Sequence, residues 1–170
     1  RAGVIGATGY GGRETLKLLH RHPDVDVTMV AADDSFIGTR VSDTFPDLLG
    51  IIDLTCEKSD AAEFAKRCDV VMVATPNGVT MKLAPLFLDN GVKVIDYSGD
   101  FRLKNLEVFK QAYGMDHASP DLIEKAVYGM PELYEDKIRD ADLISNPGCF
   151  PTSIILGLAP IAKAGLSYPK

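Results

Sequence analysis

The chain lacks the features that mark disulfide-bonded, membrane-spanning, metal-binding or nucleic-acid-binding proteins. Its three cysteines are an odd number without a C-x-x-C pair, which fits neither a disulfide framework nor a zinc site. No apolar run approaches the roughly 18 residues that span a bilayer, and no set of His, Cys, Asp and Glu residues has metal-site spacing. Acidic residues outnumber basic ones, 24 to 18, and the net charge of -6 argues against a nucleic-acid partner. We therefore expect a cytoplasmic protein that binds neither nucleic acid, metal nor membrane.

What is present is the pattern of a layered α/β domain. With 170 residues the chain is long enough to bury one good core. Short apolar runs alternate with helical patterns, which predicts a Rossmann-type, doubly wound parallel sheet with helices on both faces. The predicted strands are residues 2–5, 25–32, 70–74, 92–97 and 143–145, and the predicted helices are residues 12–21, 60–67, 79–90, 106–113, 120–125 and 150–164. Residues 36–53 are predicted to be irregular, and Pro85 is expected to kink or shorten its helix.

A glycine-rich segment joins the first predicted strand to the first predicted helix. Gly6, Gly9 and Gly12 have the spacing that lets a backbone turn sharply and approach a pyrophosphate at a helix N-terminus. A tight turn with close helix packing would use the same glycines. Because the motif follows a strand and opens a helix, we favour a dinucleotide site, with these candidate cofactor contacts: Gly6, Thr8, Gly9, Tyr10, Gly11 and Gly12.

The end of the second predicted strand does not decide which dinucleotide is bound. An acidic residue there selects the free ribose of NAD, whereas basic residues favour NADP. Asp33 and Asp34 lie near the expected position, but Ser35 follows and Arg40 is close enough in sequence to fold back. We include Ser35 among the candidate cofactor contacts.

Two further polar turns follow predicted strands, at the sheet edge where α/β proteins bind ligands. Asn77, in the segment T-P-N-G, either contacts the cofactor or belongs to a plain β-turn, to which Pro-Asn-Gly is well suited. Ser98 and Gly99, in the segment D-Y-S-G-D-F-R-L, are candidate cofactor contacts as well.

Arg102 lies in the same segment and has two interpretations. Its planar guanidinium group suits a phosphate, because two of its N–H groups can donate charged hydrogen bonds to the phosphate oxygens in parallel. The residues alone favour a structural salt bridge of Arg102 with Asp96 or Asp100.

Cys149 lies in the segment I-S-N-P-G-C-F-P-T, where an apolar strand joins a predicted helix. A helix beginning near Phe150 presents unpaired N–H groups and the positive end of its dipole, and both favour a thiolate over a thiol. The same N-terminus can hold an anion, so a phosphorylated substrate would be bound and attacked at one place. A buried cysteine at a packed turn is the alternative. Cys56 and Cys68 are interpreted as packing residues.

The histidines are less informative. His20 and His22 flank the end of the first predicted helix, where cationic side chains suit the surface. His117 is interpreted as a solvated loop residue.

The chain resembles the N-acetyl-gamma-glutamyl-phosphate reductases, the arginine-biosynthesis relatives of aspartate-semialdehyde dehydrogenase. The resemblance is carried by G-A-T-G-Y-G-G at 6–12, D-Y-S-G-D-F-R at 96–102, Y-G-M-P-E at 128–132 and N-P-G-C-F-P-T at 146–152. The last segment is the most specific, because the nucleophile of aspartate-semialdehyde dehydrogenases typically follows asparagine directly. Two departures exist: Ser153 stands where Gly or Ala is usual, and Asp33-Asp34 is more acidic than the loop expected of an NADP enzyme.

The resemblance implies a reaction and a division of the protein into a cofactor domain and a catalytic domain. Cys149 would attack an acyl phosphate, phosphate would leave, and hydride from NADPH would reduce the thioester to a thiohemiacetal that collapses to a semialdehyde. Arg102 and Asn146 would contact the substrate. Residues 1–147 would be the cofactor domain and residues 148–170 the start of a catalytic domain. The rest of that domain, with an acid–base histidine, would lie outside the chain, and the full-length protein would be a homo-oligomer.

Two other interpretations stay open. One is an enzyme like aspartate-semialdehyde dehydrogenase, and the other is a dinucleotide-binding module without turnover. Since the sequence opens on Arg1 directly at the first strand, we expect it to be part of a longer protein and to have negligible turnover alone.

Overall fold

A computed structural model describes residues 1–166 of the chain. Its strands are β1 (Ala2–Ile5), β2 (Val27–Ala31), β3 (Cys56–Glu57), β4 (Val70–Val73), β5 (Lys93–Asp96), β6 (Val127–Tyr128) and β7 (Leu143–Ser145). They form one seven-stranded sheet in the order β3-β2-β1-β4-β5-β7-β6, and every neighbouring pair is parallel. Strands β1 and β4 lie at the centre of the sheet, with β2 and β3 on one side and β5, β7 and β6 on the other. This is the arrangement of doubly wound sheets, so the predicted Rossmann-type α/β fold is confirmed.

The helices are α1 (Tyr10–His20), α2 (Val41–Thr44), α3 (Ala61–Arg67), α4 (Thr80–Asp89), α5 (Leu106–Tyr113), α6 (Pro131–Arg139) and α7 (Cys149–Lys163). The helix predicted over 120–125 is wrong, because a single 3-10 turn at Pro120–Leu122 stands there. The Lys104 ammonium donates to the carbonyls of Ile123 and Ala126 just beyond it, and these bonds replace those of a longer helix.

Four elements were not predicted: β3, β6, α2 and α6. The two strands have two residues each, too few to show an alternating pattern. Helix α6 buries no residue and has non-helical φ/ψ at Tyr134, so it carries no apolar stripe. Helix α2 lies in the stretch 36–53 that was predicted to be irregular, yet this stretch fully buries Val41 and Leu48.

The sheet has an apolar layer on each face. One layer contains Phe64, Phe87 and Phe109 from α3, α4 and α5, and the first two rings meet edge to face with centroids 5.6 Å apart. The other contains Leu16 and Leu19 of α1. Because all strands are parallel, the turns that leave their carboxyl ends meet at one edge of the sheet, and α1, α4 and α7 begin there.

Pro85 does not break α4, which runs from Thr80 to Asp89. A proline lacks the N–H that would bond the carbonyl four residues earlier, which belongs to Met81. The Ser119 hydroxyl donates to that Met81 oxygen at 2.6 Å and replaces the missing partner.

Helix α7 is apolar but buries none of its residues. Phe150, Ile154, Leu158 and Ile161 are exposed along it. Among residues 1–166, no helix is both long and apolar enough to cross a bilayer.

Candidate active site

The glycine-rich turn after β1 packs backbone against backbone. Gly6 has a φ of 82°, and a Cβ there would lie 2.2 Å from the Ala74 carbonyl oxygen. A Cβ at Gly12 would lie 2.2 Å from the Gly6 oxygen, so α1 crosses directly over the turn. Gly9 is exposed, and its Cβ would find that same oxygen only at 3.4 Å. The turn therefore requires Gly6 and Gly12, while Gly9 leaves open the approach to the first N–H groups of α1.

The remaining residues predicted to contact the cofactor in this turn border the same opening. Tyr10, the first residue of α1, is 83% exposed, Gly11 is exposed and Thr8 is half-buried. Their contacts with a dinucleotide stay predictions.

Helix N-termini in this domain differ in whether a side chain already occupies them. The Asp60 side chain accepts a hydrogen bond from the Glu63 N–H in α3, and the Asn105 side chain accepts two at the start of α5. At α4, the Asp100 carboxylate accepts the N–H groups of Gly78 and Met81 at 2.7 and 2.9 Å. These three N-termini offer no place for an outside anion.

By contrast, α1 and α7 have neither a capping side chain nor an acidic residue in the first turn. Their N-cap residues are Gly9 and Gly148, which leave the first N–H groups accessible. Unpaired N–H groups and the helix dipole attract anions. Strands β4 and β5 separate β1 from β7, so the two N-termini lie roughly 14 Å apart along the edge, enough for two separate anions.

The loop after β2 is organised by its first aspartate. The Asp33 carboxylate accepts hydrogen bonds from the Ser35 N–H at 3.1 Å and from its hydroxyl at 2.9 Å, and these bonds lower the pKa of Asp33. Arg40 does not fold back onto this loop, because its guanidinium pairs with Asp43 at 3.4 Å. The Ser35 hydroxyl is thus engaged within the loop, and its contact with a cofactor stays a prediction.

Asn77 ties the turn after β4 to the turn after β5. Its side-chain oxygen accepts the Gly99 N–H at 2.8 Å, so the segment is more than an isolated β-turn. Ser98 is buried and its hydroxyl donates to the Asp96 carboxyl at 2.7 Å. A side chain at Gly99 would collide with Tyr113, because its Cβ would lie 2.2 Å from the Tyr113 hydroxyl. Cofactor contacts of all three predicted residues remain untested.

The salt bridge expected for Arg102 with Asp96 or Asp100 is wrong. Its Nε donates to the Asn146 carbonyl at 2.9 Å and its Nη2 to the Tyr97 carbonyl at 2.6 Å. The guanidinium therefore joins the turn after β5 to the loop after β7 by donating to a carbonyl group in each. The sequence around Arg102 gives no sign of the contact with Asn146, which lies 44 residues away.

The third nitrogen of Arg102 faces the cysteine loop. Its Nη1 lies 3.1 Å from the place that a Cβ of Gly148 would occupy. A side chain at Gly148 would therefore press on the guanidinium. Arg102 thus ties the loop to the turn after β5 through Nε and Nη2, and its contact with a substrate stays a prediction.

Cys149 is the first residue of α7, one position earlier than the predicted start near Phe150. It is exposed, which rules out the buried cysteine at a packed turn. The Thr152 hydroxyl donates to the Gly148 carbonyl at 2.9 Å and steadies the first helical turn. The sulfur therefore lies at an open helix N-terminus, as predicted.

The other two cysteines differ in environment. Cys56 and Cys68 are buried, as their interpretation as packing residues predicts. Burial raises the pKa of each thiol. Cys149 is thus the exposed thiol of the three.

His117 is not the solvated loop residue that was expected. Its Nε2 bonds the Asp100 carbonyl at 2.8 Å, and its Nδ1 accepts the Ser119 N–H at 3.0 Å. The ring also packs edge to face on Phe101 and Phe109. Because both nitrogens are engaged, His117 has a structural role. His20 and His22 are exposed near the end of α1, as predicted.

Sequence reasoning missed the structural importance of Asp100 and Tyr113. Asp100 accepts the N–H of Gly78, which precedes α4, and the N–H of Met81, in the first turn of α4, 22 and 19 residues away in sequence. Tyr113 closes over Gly99 from the end of α5. Neither contact has a local sequence signal.

Together these features define a class of protein: a parallel α/β domain with an open glycine-rich helix N-terminus for a dinucleotide and an exposed cysteine at a second helix N-terminus. The family model described as "Semialdehyde dehydrogenase, NAD binding domain" matches residues 1–141. The chain belongs to this family.

Relatives in other organisms support the narrower resemblance. The chain is 45% identical over 169 residues to the N-acetyl-gamma-glutamyl-phosphate reductase of Marinobacter nauticus, covering 99% of this chain and 48% of that protein. It is 46% identical over 163 residues to the enzyme of the same name from Neisseria meningitidis serogroup C, covering 96% and 46%. The resemblance inferred from the motifs is thereby confirmed. The chain spans about half the length of the curated relatives it matches.

Solved structures show the same fold at low sequence identity. The aspartate semialdehyde dehydrogenase with NADP from Candida albicans superposes with a TM-score of 0.71 at 18% identity, covering 96% of this chain and 46% of that chain. At this identity the likeness concerns the fold alone.

Proposed function

We propose that the protein reduces N-acetyl-gamma-glutamyl phosphate to N-acetylglutamate semialdehyde, with release of phosphate, as a step of arginine biosynthesis. The names of its relatives and its NAD-binding family support a reductase of this type. The observation that carries the proposal is the exposed Cys149 at an uncapped helix N-terminus, on the same sheet edge as the glycine-rich turn.

The chain's residues supply the first covalent step. The Cys149 thiolate attacks the acyl carbon, a C–S bond forms, and the C–O bond to phosphate breaks to give a thioester. In this proposal the N–H groups that begin α7 and the Arg102 Nη1 hold the departing phosphate or the developing oxyanion, which the absence of a capping side chain on α7 supports. Asn146 lies in this loop, and its backbone is fixed by Arg102.

The residues present fit a dinucleotide. The open approach at Gly9 lets a pyrophosphate reach the α1 N-terminus, which a side chain at that position would fill. Gly6 and Gly12 hold the turn, and Thr8, Tyr10 and Gly11 border it. A reduced nicotinamide, when bound, supplies the hydride that converts the thioester to a thiohemiacetal. Collapse of the thiohemiacetal releases the aldehyde and regenerates the Cys149 thiolate.

NADP is the dinucleotide we propose, on the strength of the resemblance. The ionised Asp33 at the end of β2 favours the free ribose of NAD instead. Calorimetric titration with NADP and NAD separates the two. Tighter binding of NAD would overturn the cofactor choice alone, whereas binding of neither would remove the dinucleotide site.

The remaining parts of the proposal concern the full-length protein. We propose that residues 1–147 form its cofactor domain and that residues 148–170 begin its catalytic domain, of which residues 167–170 lie outside the described part. The acid–base histidine implied by the resemblance matches none of the three histidines here, so the 170-residue chain alone should show negligible turnover. A small acyl phosphate as partner, a homo-oligomeric state and a cytoplasmic location belong to the same proposal.

The test is a reductase assay of the full-length protein with N-acetyl-gamma-glutamyl phosphate and, side by side, aspartyl phosphate. We expect turnover of the first substrate and its loss in the Cys149→Ser variant. Preference for aspartyl phosphate would establish the aspartate-semialdehyde dehydrogenase alternative. Cofactor binding without turnover of either substrate would establish a binding module. Robust turnover by the 170-residue chain would show that its own residues complete the catalytic machinery.

A further inference from the structure

Tyr97, the residue that follows β5, has three polar groups, and each is bonded to a different part of the structure. Its N–H donates to the Val73 carbonyl at the end of β4 at 3.0 Å. Its carbonyl accepts the Arg102 Nη2 at 2.6 Å, and its hydroxyl lies 3.1 Å from the Thr15 hydroxyl of α1. This half-buried tyrosine therefore connects the turn after β5 to the helix that begins at the glycine-rich turn.

The bond to Thr15 reaches the first turn of α1. Thr15 is 5% exposed, and its hydroxyl also bonds the Gly11 carbonyl at 2.8 Å. A hydroxyl has a single proton, so when Thr15 donates it to Gly11, the Tyr97 phenol is the donor in the other bond. The Tyr97 ring packs against the apolar layer of Leu16 and Leu19, which fixes the direction of its hydroxyl. Tyr97 thus holds the part of α1 that borders the proposed dinucleotide site.

The carbonyl of Tyr97 leads to the cysteine loop. Arg102 donates its Nη2 to this carbonyl and its Nε to the Asn146 carbonyl at 2.9 Å. The Asn146 N–H donates in turn to the Asp96 carbonyl at 2.8 Å. Asn146 lies in the loop that leads to Cys149, the first residue of α7. The loop is therefore held by the residue before Tyr97 and, through Arg102, by Tyr97 itself.

Hydride transfer depends on the distance between the two sites that these bonds connect. Reacting atoms must approach to about 3–3.5 Å, and a misplacement of about 1 Å can cost on the order of 10²-fold in rate. The dinucleotide would be held at the start of α1 and the thioester at the start of α7, and β4 and β5 separate the strands that precede these helices. Side-chain bonds that join the two places therefore affect the rate of hydride transfer.

We propose that Tyr97 is a positioning residue that sets the distance between a bound nicotinamide and the Cys149 sulfur. Its hydroxyl aligns α1, and its carbonyl aligns the cysteine loop through Arg102. Only the first tie depends on the side chain, so phenylalanine at this position would keep the loop in place and lose the alignment of α1. This inference rests on the proposed function, which assigns a dinucleotide to α1 and the nucleophile to Cys149.

Variants of the two hydroxyl-bearing residues isolate the bond between them. Tyr97→Phe keeps the ring, and Thr15→Val replaces the hydroxyl by a methyl group, so each removes one partner. Thr15→Ser keeps a hydroxyl and is the matched control. Because Tyr97 and Thr15 act through one bond, combining Tyr97→Phe with Thr15→Val should give about the same effect as either change alone. Additive effects of the two changes would overturn the proposal.

The first measurement uses the full-length protein and needs no turnover. Saturating NADP, or NAD if titration favours it, should slow the alkylation of Cys149 by iodoacetamide, because the nicotinamide lies next to the sulfur. Tyr97→Phe and Thr15→Val should show several-fold less protection, whereas Thr15→Ser should keep it. Without dinucleotide all of these proteins should be alkylated at the same rate, since the ties of the cysteine loop are intact. Faster alkylation of Tyr97→Phe without dinucleotide would mark a general loosening of the fold and overturn the proposal.

The second measurement separates hydride transfer from acylation by rapid mixing of the full-length protein with substrate. In Tyr97→Phe the release of phosphate on acylation should keep the wild-type rate. Oxidation of NADPH, followed by its absorbance, should slow by roughly tenfold, which is less than a full misplacement of about 1 Å would bring. Equal slowing of both steps would mark a general structural effect and overturn the proposal.

The alkylation test also distinguishes this inference from the proposed function. Loss of protection in Tyr97→Phe, together with a wild type that has no reductase activity, would support the positioning role and overturn the reductase. Reductase activity together with equal protection in wild type and Tyr97→Phe would support the reductase and overturn the positioning role.

Discussion

Gly12 offers a sharp test of how the dinucleotide turn is built. An alanine Cβ there would lie 2.2 Å from the Gly6 oxygen and 2.7 Å from the Ala7 Cα. Both are backbone atoms, which have no rotamer to adopt in relief. A Cβ at Gly9 would lie 3.4 Å from the same oxygen, which is a tolerable contact. For the Cβ of Gly12→Ala to reach that distance, α1 would have to move outward by more than 1 Å.

Such a movement would loosen the layer that holds α1 on the sheet. Leu16 is fully buried there and Leu19 nearly so. Overpacking typically costs about 1–3 kcal/mol, and the rigid contact places Gly12→Ala at about 3 kcal/mol. For a domain of this size, that corresponds to a fall in Tm of roughly 6–12 °C.

Gly11→Ala is the matched control one residue away in the same helix. Its Cβ would meet only the Ala74 Cβ at 3.6 Å, an ordinary contact. Since alanine is the better helix former by about 0.5–1 kcal/mol, this variant should unfold at the wild-type midpoint or slightly above it. Urea and thermal unfolding of the three proteins provide the comparison. If Gly12→Ala proved as stable as Gly11→Ala, the close crossing of α1 over the turn would be refuted.

Three further predictions concern separate parts of the chain. Gly9→Val should keep the unfolding midpoint but abolish dinucleotide binding in calorimetric titration, because its side chain fills the approach to α1; retained binding would refute the site. Competitive alkylation near neutral pH with peptide mapping should label Cys149 before Cys56 and Cys68, and earlier labelling of either buried thiol would refute the nucleophile. Hydrogen bonds from Arg13 and Lys17 of α1 lower the pKa of Asp47 to about 2, so the contribution of Asp47 to stability is present above about pH 4 and is lost as pH falls toward 2. Asp47→Asn should therefore reduce the loss of stability between about pH 4 and pH 2, and an unchanged loss would contradict the pairing of Asp47 with α1.

Much of the fold was predictable because its signals are local. Five strands and the helices α1, α3, α4, α5 and α7 follow from apolar runs and helical periodicity, both set by neighbours a few residues apart. The glycine turn and the cysteine at a helix N-terminus are also local, since each depends on the junction of one strand with one helix. The elements β3, β6 and α6 escaped detection because they are too short, or too little buried, to carry a period.

The sequence by itself therefore determined the α/β class, the dinucleotide turn and the place of Cys149. Only the tertiary structure decided which partners the polar side chains find. Arg102 reaches the carbonyl of Asn146, 44 residues away, instead of an adjacent aspartate, and His117 is held by the Asp100 carbonyl instead of solvent. The physical reason is that a side chain bonds to whatever donor or acceptor the packed strands bring within about 3 Å, and strand order sets that distance independently of separation along the chain.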